Sequence, residues 1–495
     1  MLKITHILKF KSNLKILLVI VLLIAGNAFQ SFSVQAQKQF RFKQNHTFKI
    51  VQFTDIHWNN NSPKCAQTTE TINLVLTAEK PDLAILTGDI VTDLPEKEGW
   101  LAVADIFSKA KIHFAVALGN HDSERIILRD FIFDLLKENP WFVGEKGPNL
   151  SGCGNYTIPL QSVDKKSIAA VIYCLDSNDY PKEKRLAGYS WIKYDQVGWY
   201  RKTSDTYSSS NHHMPLPSLM FFHIPLIEFN SIVGKQTTIG TKGEGVASSE
   251  INSGLFGSLI EKRDVMGVFV GHDHNNNFIG IDHEICLGYG QATGSSAYGK
   301  LERGARIIEL RENEFTFDSW IRTRTGTSDK FTFPVGLNRD LPQPTFVPSK
   351  NVKDPKPGVQ YRYFEGNFKS ADEVKQAKVV KSGFTKNFFI AKELVRDSFA
   401  IEFKAWIKIP KNELYTFYTY SDDGSKIIID GQEVVNNPAT HKIKRAEGEI
   451  ALEEGYHELK VLHIQGDATN ELEVGFASKF IRECKIPDWL LFEPY

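Results

Sequence analysis

The stretch Phe48-Lys49-Ile50-Val51-Gln52-Phe53-Thr54-Asp55-Ile56-His57 runs from an apolar, strand-like segment straight into two side chains that can carry chemistry. Four later segments repeat the arrangement. Leu83 to Leu86 leads to Gly88-Asp89, Phe114 to Leu118 to Gly119-Asn120-His121-Asp122, Leu219 to Phe222 to His223, and Val265 to Val270 to Gly271-His272-Asp273-His274. Each run has strand length, and polar residues at strand ends can converge on one rim. Helix-like segments at Thr69 to Lys80 and Ser123 to Lys137 fall between the runs. The reading is therefore α/β (α+β), two sheets flanked by helices.

A single Asp or His just past a strand is ordinarily a turn or helix-cap residue. Five such blocks in one chain call for a shared purpose, and Gly88, Gly119 and Gly271 supply the backbone freedom that ligand-bearing turns need. The residue types suit two divalent or trivalent cations, which repel at about 3.5–4 Å unless an anionic oxygen bridges them. Asp89 is assigned as that bridge. Asp55, His57 and His274 join it on the first ion, and Asn120, His223 and His272 on the second, leaving positions for water and a substrate oxygen. His121 is then free for proton transfer. Asp122 could orient His121 or a ligand histidine, or cap a helix. His212 and His213 follow Ser208-Ser209-Ser210-Asn211 and read as solvated loop residues.

Over residues 44 to about 325 these motifs resemble the calcineurin-like metallophosphoesterase superfamily, and within it the purple-acid-phosphatase-like branch that ends in Gly-His-Asp-His. The resemblance implies a four-layer metallophosphoesterase sandwich, a dinuclear centre of manganese, zinc or iron, and hydrolysis of phosphate esters. Cations lower the pKa of bound water from about 15.7 toward about 7, which would supply a metal-bound hydroxide as the attacking group. The resemblance also makes His121 the residue that protonates the leaving oxygen, a role imidazole suits because it titrates near neutral pH. One departure is informative. True purple acid phosphatases resemble a pattern with Gly in place of His57 and a metal-binding Tyr three residues after the bridging Asp, where this chain has Thr92. Without that tyrosinate the protein is expected to be colourless. The expected activity is on phosphate monoesters. Phosphodiester hydrolysis on nucleotides or glycerophosphodiesters is the alternative within enzymes, and a glycan-binding protein with an inactive enzyme domain the alternative outside them.

Lys3, Lys9, Lys11 and Lys15 precede the apolar run Ile16 to Ala25, with Val34-Gln35-Ala36 as a cleavage site. This reads as a signal peptide over residues 1–36, placing the mature chain in a secreted or periplasmic location. No later segment is apolar enough to span a bilayer. The 495 residues are enough for two or three domains, and 59 basic against 59 acidic residues leave no overall field that would draw nucleic acid or anionic membrane. The five cysteines, Cys65, Cys153, Cys174, Cys286 and Cys484, are too scattered for a zinc motif and read as buried thiols with one bridge at most.

Gly188 to Tyr200 and Thr237 to Ser253, the latter carrying Glu244, read as loops reaching toward the site, and Trp58, Asn59 and Asn60 as lining its mouth. The enzyme domain is placed at residues 37–340, after a strand pair at Ala305 to Leu310 and Phe315 to Arg322. Pro342, Pro344, Pro348, Pro355 and Pro357 make residues 341–358 a semi-rigid linker. Short alternating runs over 359–480 give an all-β domain, with 481–495 as a tail. Within it, Tyr415 to Ser425 with Asp422-Asp423-Gly424, followed by Ile429-Asp430-Gly431, resembles a PA14 domain. That resemblance implies carbohydrate or cell-surface binding, and calcium at Asp422 and Asp423. Asp-Asp-Gly is also an ordinary hairpin turn, and both readings stand here. The aromatic residues of this region read as core.

Overall fold

The computed structural model describes residues 38–495 except 236–237, 335–344, 371–372, 391–397, 439–440, 467–470, 480 and 495. The signal peptide expected over 1–36 lies outside the described residues, as do the first residues of the expected linker. None of the described helices is long and apolar enough to cross a membrane.

The first domain begins with β1 (Phe40–Arg41), β2 (Thr47–Phe53), α1 (Lys64–Glu79), β3 (Leu83–Thr87), α2 (Glu96–Ala110) and β4 (Phe114–Ala117). It continues with α3 (Arg129–Leu136), β5 (Tyr156–Gln161), β6 (Ile168–Cys174), α4 (Tyr194–Ser210), β7 (Ser218–Phe221), α5 (Leu255–Lys262) and β8 (Val265–Val270). Then come β9 (Ile279–Asp282), β10 (Ile285–Tyr289), β11 (Gly304–Arg311), β12 (Phe317–Thr323) and β13 (Gly326–Phe333). The strands form two sheets, ordered β1-β5-β6-β7-β8-β10-β9 and β13-β12-β11-β2-β3-β4. Strands β3, β4 and β8 are buried along their whole length, which their continuous runs of Ala, Val, Ile, Leu and Phe require of strands covered on both faces. One core joins the facing sides of the sheets, with Ile50, Ile308 and Phe317 from one and Ile172, Phe221 and Phe269 from the other, and takes in Phe53 and Leu86 with Ile72 and Val75 of α1 and Phe107 of α2 on the outer face. A second core packs Val197 and Tyr200 of α4 and Leu255 and Leu259 of α5 on the outer face of the other sheet. These are the four layers expected.

The second domain holds β14 (Val359–Glu365), β15 (Lys381–Thr385), β16 (Phe399–Ile409), β17 (Glu413–Ser421), β18 (Ser425–Ile429) and β19 (Gln432–Asn437). Strands β20 (Lys444–Leu452), β21 (Gly455–Gln465), β22 (Leu472–Ala477), β23 (Cys484–Lys485) and β24 (Leu491–Phe492) complete it. One sheet runs β15-β14-β16-β21-β18-β19 with β24 beside β16, and the other β20-β17-β22-β23. Tyr415, Phe417, Phe403 and Phe476 fill the core between them, as read from the sequence. Arg482, nine-tenths buried, ties the domains by donating to the carbonyls of Val265 and Glu284.

Several local expectations are corrected. Ser123 to Lys137 is not one helix: a 3-10 turn (His121–Ser123) and a loop precede α3, because the Glu96 carboxylate takes the N–H groups of Ile126 and Ile127. The expected loop Gly188 to Tyr200 becomes helical at Tyr194, where the Gln196 side chain accepts the Lys193 N–H and closes the first turn. Strand β13 was not anticipated, since most of its residues are polar and partly exposed. Trp58 is buried in the core, and Asn59 donates to Asp93 away from the cavity. All five cysteines are free, so the single bridge allowed above is absent. Residues 481–495 contribute β23 and β24 to the sandwich instead of forming a tail. Val347, Lys350 and Pro357 bridge to Leu452, Tyr456 and Phe492, so the latter part of the linker lies along the second domain.

Candidate metal centre

Strands β2, β3 and β4 are parallel neighbours, so Asp55, Asp89 and Asn120 leave the same edge of one sheet. Parallel β7 and β8 deliver His223, His272 and His274 from the other. The turns are tight. Asp55 (φ 52), His57 (φ 45), Asp89 (φ 52) and His272 (φ 79) all occupy the left-handed region, which is costly for side chains other than glycine and concentrates at functional turns. Gly88 shares that conformation at φ 78, and a Cβ there would collide with the His223 ring. A Cβ at Gly119 would meet the Asp89 carboxylate.

The turns bring six of the seven expected ligands into two groups, with Asn120 on the turn that the Asp122 carboxylate ties to that of Asp89. Asp55, His57 and His274 form one group and Asp89, His223 and His272 another, with candidate ligand atoms in each lying within 4.8 Å of one another. Asp89 Oδ2 sits 3.3 Å from His223 Nε2 and 3.8 Å from His57 Nε2, between the two groups, where a bridging oxygen belongs. Ring nitrogens face each other at 3.2 Å in both, His57 with His274 and His223 with His272. Asn120 Oδ1 is buried without a hydrogen-bond partner, while its amide nitrogen donates to the Tyr180 hydroxyl. A buried acceptor left without a partner is what a cation site leaves in a protein chain. His223 Nδ1 donates to the Thr87 carbonyl at 2.8 Å, which fixes the ring and leaves Nε2 for the centre. The mixed nitrogen and oxygen donors fit zinc, manganese or iron.

The electrostatics agree. Burial holds His57 at about 4 and His272 at about 3, so both rings are neutral and have lone pairs to offer. Burial also disfavours a charged His223, but the Asp89 carboxylate outweighs it and lifts that ring to about 10. Asp122 does not orient His121 or cap a helix. Its carboxylate accepts the N–H groups of Gly119, Asp89, Ile90 and Val91, binding the Asp89 turn to the Asn120 turn. Arg129 braces the same turn, reaching the Gly119 carbonyl with one nitrogen and Asp176 with another.

Residues not singled out in the sequence complete the site. Glu124 Oε2 lies 2.5 Å from His121 Nδ1, its other oxygen accepts the Tyr180 hydroxyl, and His121 Nε2 is 3.9 Å from Asp89 Oδ2. The His121 ring is thus gripped from behind with its other nitrogen toward the centre. The signal was present in the His121 to Glu124 spacing, which one helical turn brings together. Tyr189 meets His272 edge-on at 4.2 Å, and Tyr298 stacks on His274 at 3.9 Å. A cavity of about 390 Å³ opens over the centre, walled by these tyrosines and by Glu244 to Ala247 of the loop expected to approach it.

Asp422 and Asp423 lie on the second domain. The turn joins β17 to β18, which belong to different sheets, so it is not a hairpin. Asp423 Oδ1 accepts the His441 N–H and Oδ2 that of Gly466 at 2.6 Å, fastening neighbouring loops. His212 and His213 are exposed as expected, His212 resting on Trp489 of the second domain.

Two sheets in four layers, with Asp, Asn and His donors at their strand ends, are the architecture of the metallophosphoesterase fold. Residues 48–276 match the family model for calcineurin-like phosphoesterases and 355–488 that for PA14 domains. The chain is 33% identical over 319 residues, covering 57% of itself and 82% of the relative, to an Arabidopsis thaliana protein named probable inactive purple acid phosphatase 29. It is 30% identical to phosphatase DCR2 of Saccharomyces cerevisiae over 60% of this chain and 57% of that one. A solved dimetal phosphatase from Danio rerio aligns at 11% identity over 58% of this chain and 98% of its own, with a TM-score of 0.41. This chain belongs to the calcineurin-like metallophosphoesterases and carries a PA14 domain.

Proposed function

We propose that the chain is an active dinuclear-metal phosphatase that hydrolyses phosphate monoesters outside the cytoplasm. The observation that carries the reading is the convergence of six donors in two groups, with the buried Asn120 oxygen left unpaired. The plant relative is named inactive; this chain keeps a full donor set and His121 as well, which a degenerate site has little reason to retain. Bound cations would supply an activated water and offset charge on the phosphoryl oxygens. Asp89 would keep two cations close, and Asp122 keeps its turn in register with that of Asn120. Glu124 holds the Nδ1 proton of His121, so Nε2 is the nitrogen that delivers a proton to the leaving oxygen. The signal-peptide pattern read in the sequence of residues 1–36 supports a secreted or periplasmic location, and the PA14 domain supports attachment to carbohydrate. Thr92 in place of a tyrosine supports an iron-loaded protein with no intense visible band; a strong purple band would contradict that.

The test is turnover of an aryl phosphate monoester against the matching diester, with manganese, zinc and iron supplied in turn. Faster monoester turnover, lost in Asp89→Asn, supports the reading. Faster diester turnover replaces it with a phosphodiesterase, and turnover of neither with metals bound replaces it with a binding protein.

A further inference from the structure

We infer that the cavity selects phosphate esters whose alcohol carries an ammonium group. The inference rests on the phosphatase reading and adds the substrate class. Among the described residues, no Lys or Arg lines the cavity. Arg303, five residues past Tyr298, gives one nitrogen to the carbonyls of Ala297 and Tyr298; it feels the Asp55 carboxylate but is not part of the cavity lining. Beyond the metal ligands and His121, the wall consists of Tyr189, Tyr298, the buried Asp273 and the loop Glu244 to Ala247. A substrate with a second phosphate would meet the Glu244 carboxylate on that wall.

Glu244 is held in place. Its Oε1 accepts the Asn275 N–H at 2.6 Å, and the Tyr298 hydroxyl lies 3.2 Å from both of its oxygens. Tyr298 covers His274 with one ring face and is 54% exposed, so its other face is available. Tyr189, also in the lining, leans on His272 and stacks on Tyr180 at 5.8 Å. A carboxylate bonded to one tyrosine, in a cavity lined by a second tyrosine and by no Lys or Arg, is the chemistry that receives an ammonium group through charge and cation–π attraction. The two ring walls rest on the imidazoles of the candidate centre itself, so a cation between them lies close to a phosphate held there. A nucleobase could stack on the same tyrosines but would offer Glu244 a neutral amino N–H and no opposite charge. A neutral alkyl group would gain from neither.

The test uses the full mature chain loaded with its preferred metal and three monoesters: phosphocholine, its uncharged isostere 3,3-dimethylbutyl phosphate, and adenosine monophosphate. The expected kcat/KM for phosphocholine exceeds that of the isostere by about tenfold or more, the size of a partly desolvated cation–π and carboxylate contact. Glu244→Gln and Tyr298→Leu should each shrink that ratio. Equal turnover of choline ester and isostere, or fastest turnover of the nucleotide, overturns the inference and leaves the phosphatase reading standing. If no ester is turned over, the phosphatase reading fails. Calorimetric binding of phosphocholine and the isostere then decides selectivity by itself: about tenfold tighter binding of phosphocholine supports it and equal binding overturns it.

Discussion

Asp89 and Asp423 share a description up to the last step. Each follows a strand, each sits in the left-handed backbone region at φ 52 and φ 68, and each is buried, 2% and 5% exposed. They differ in where their oxygens go. Asp89 gives Oδ1 to the His121 N–H and turns Oδ2 to a ring of imidazoles, whereas Asp423 gives both oxygens to backbone N–H groups. The first carboxylate is left open for a cation and the second is a clasp. Strain and burial mark a place where something is held; the partners of the second oxygen say whether it is a ligand or the chain itself.

The comparison breaks most visibly in paired substitutions. Asp89→Asn should lower turnover by about 10³-fold or more, because it removes the charge between two cations, while Asp423→Asn should leave kcat within about twofold. Equal losses in the two would erase the distinction. Glu124 offers an intermediate case, a carboxylate given to one imidazole. His121→Ala should slow hydrolysis of esters with poor leaving groups by about 10²-fold and Glu124→Gln by about tenfold, with metal content unchanged in both. Metal loss on elemental analysis of either variant would move His121 into the ligand set. Asp423→Asn should instead act on stability, costing about 2 kcal/mol for a buried charged acceptor and lowering the thermal midpoint by several degrees. The smallest expected effect is that of calcium. With Asp423 already spent on N–H groups, calcium should leave the thermal midpoint within about 1 °C, and a rise of several degrees would restore a calcium role for that turn.

The four layers, the second domain's strands and the convergence of the ligand blocks were legible because each rests on a local rule, an apolar run ending in a turn. What the sequence concealed depends on long-range packing. Tyr180, Tyr189 and Tyr298 lie in irregular segments with no periodic signal, and only the fold sets them against Glu124, His272 and His274. Asp122 reads as a cap because its real partners, Ile90 and Val91, are distant in sequence. Strand β13 was missed because its outer residues are polar, and β24 because two residues carry too little pattern to be read.

The central claim is that seven side chains build one dinuclear centre. Elemental analysis of the purified full-length protein tests it most directly: two metal ions per chain are expected, falling to one or none in Asp89→Asn. A wild-type protein that holds one ion or none after incubation with manganese, zinc and iron would contradict the account.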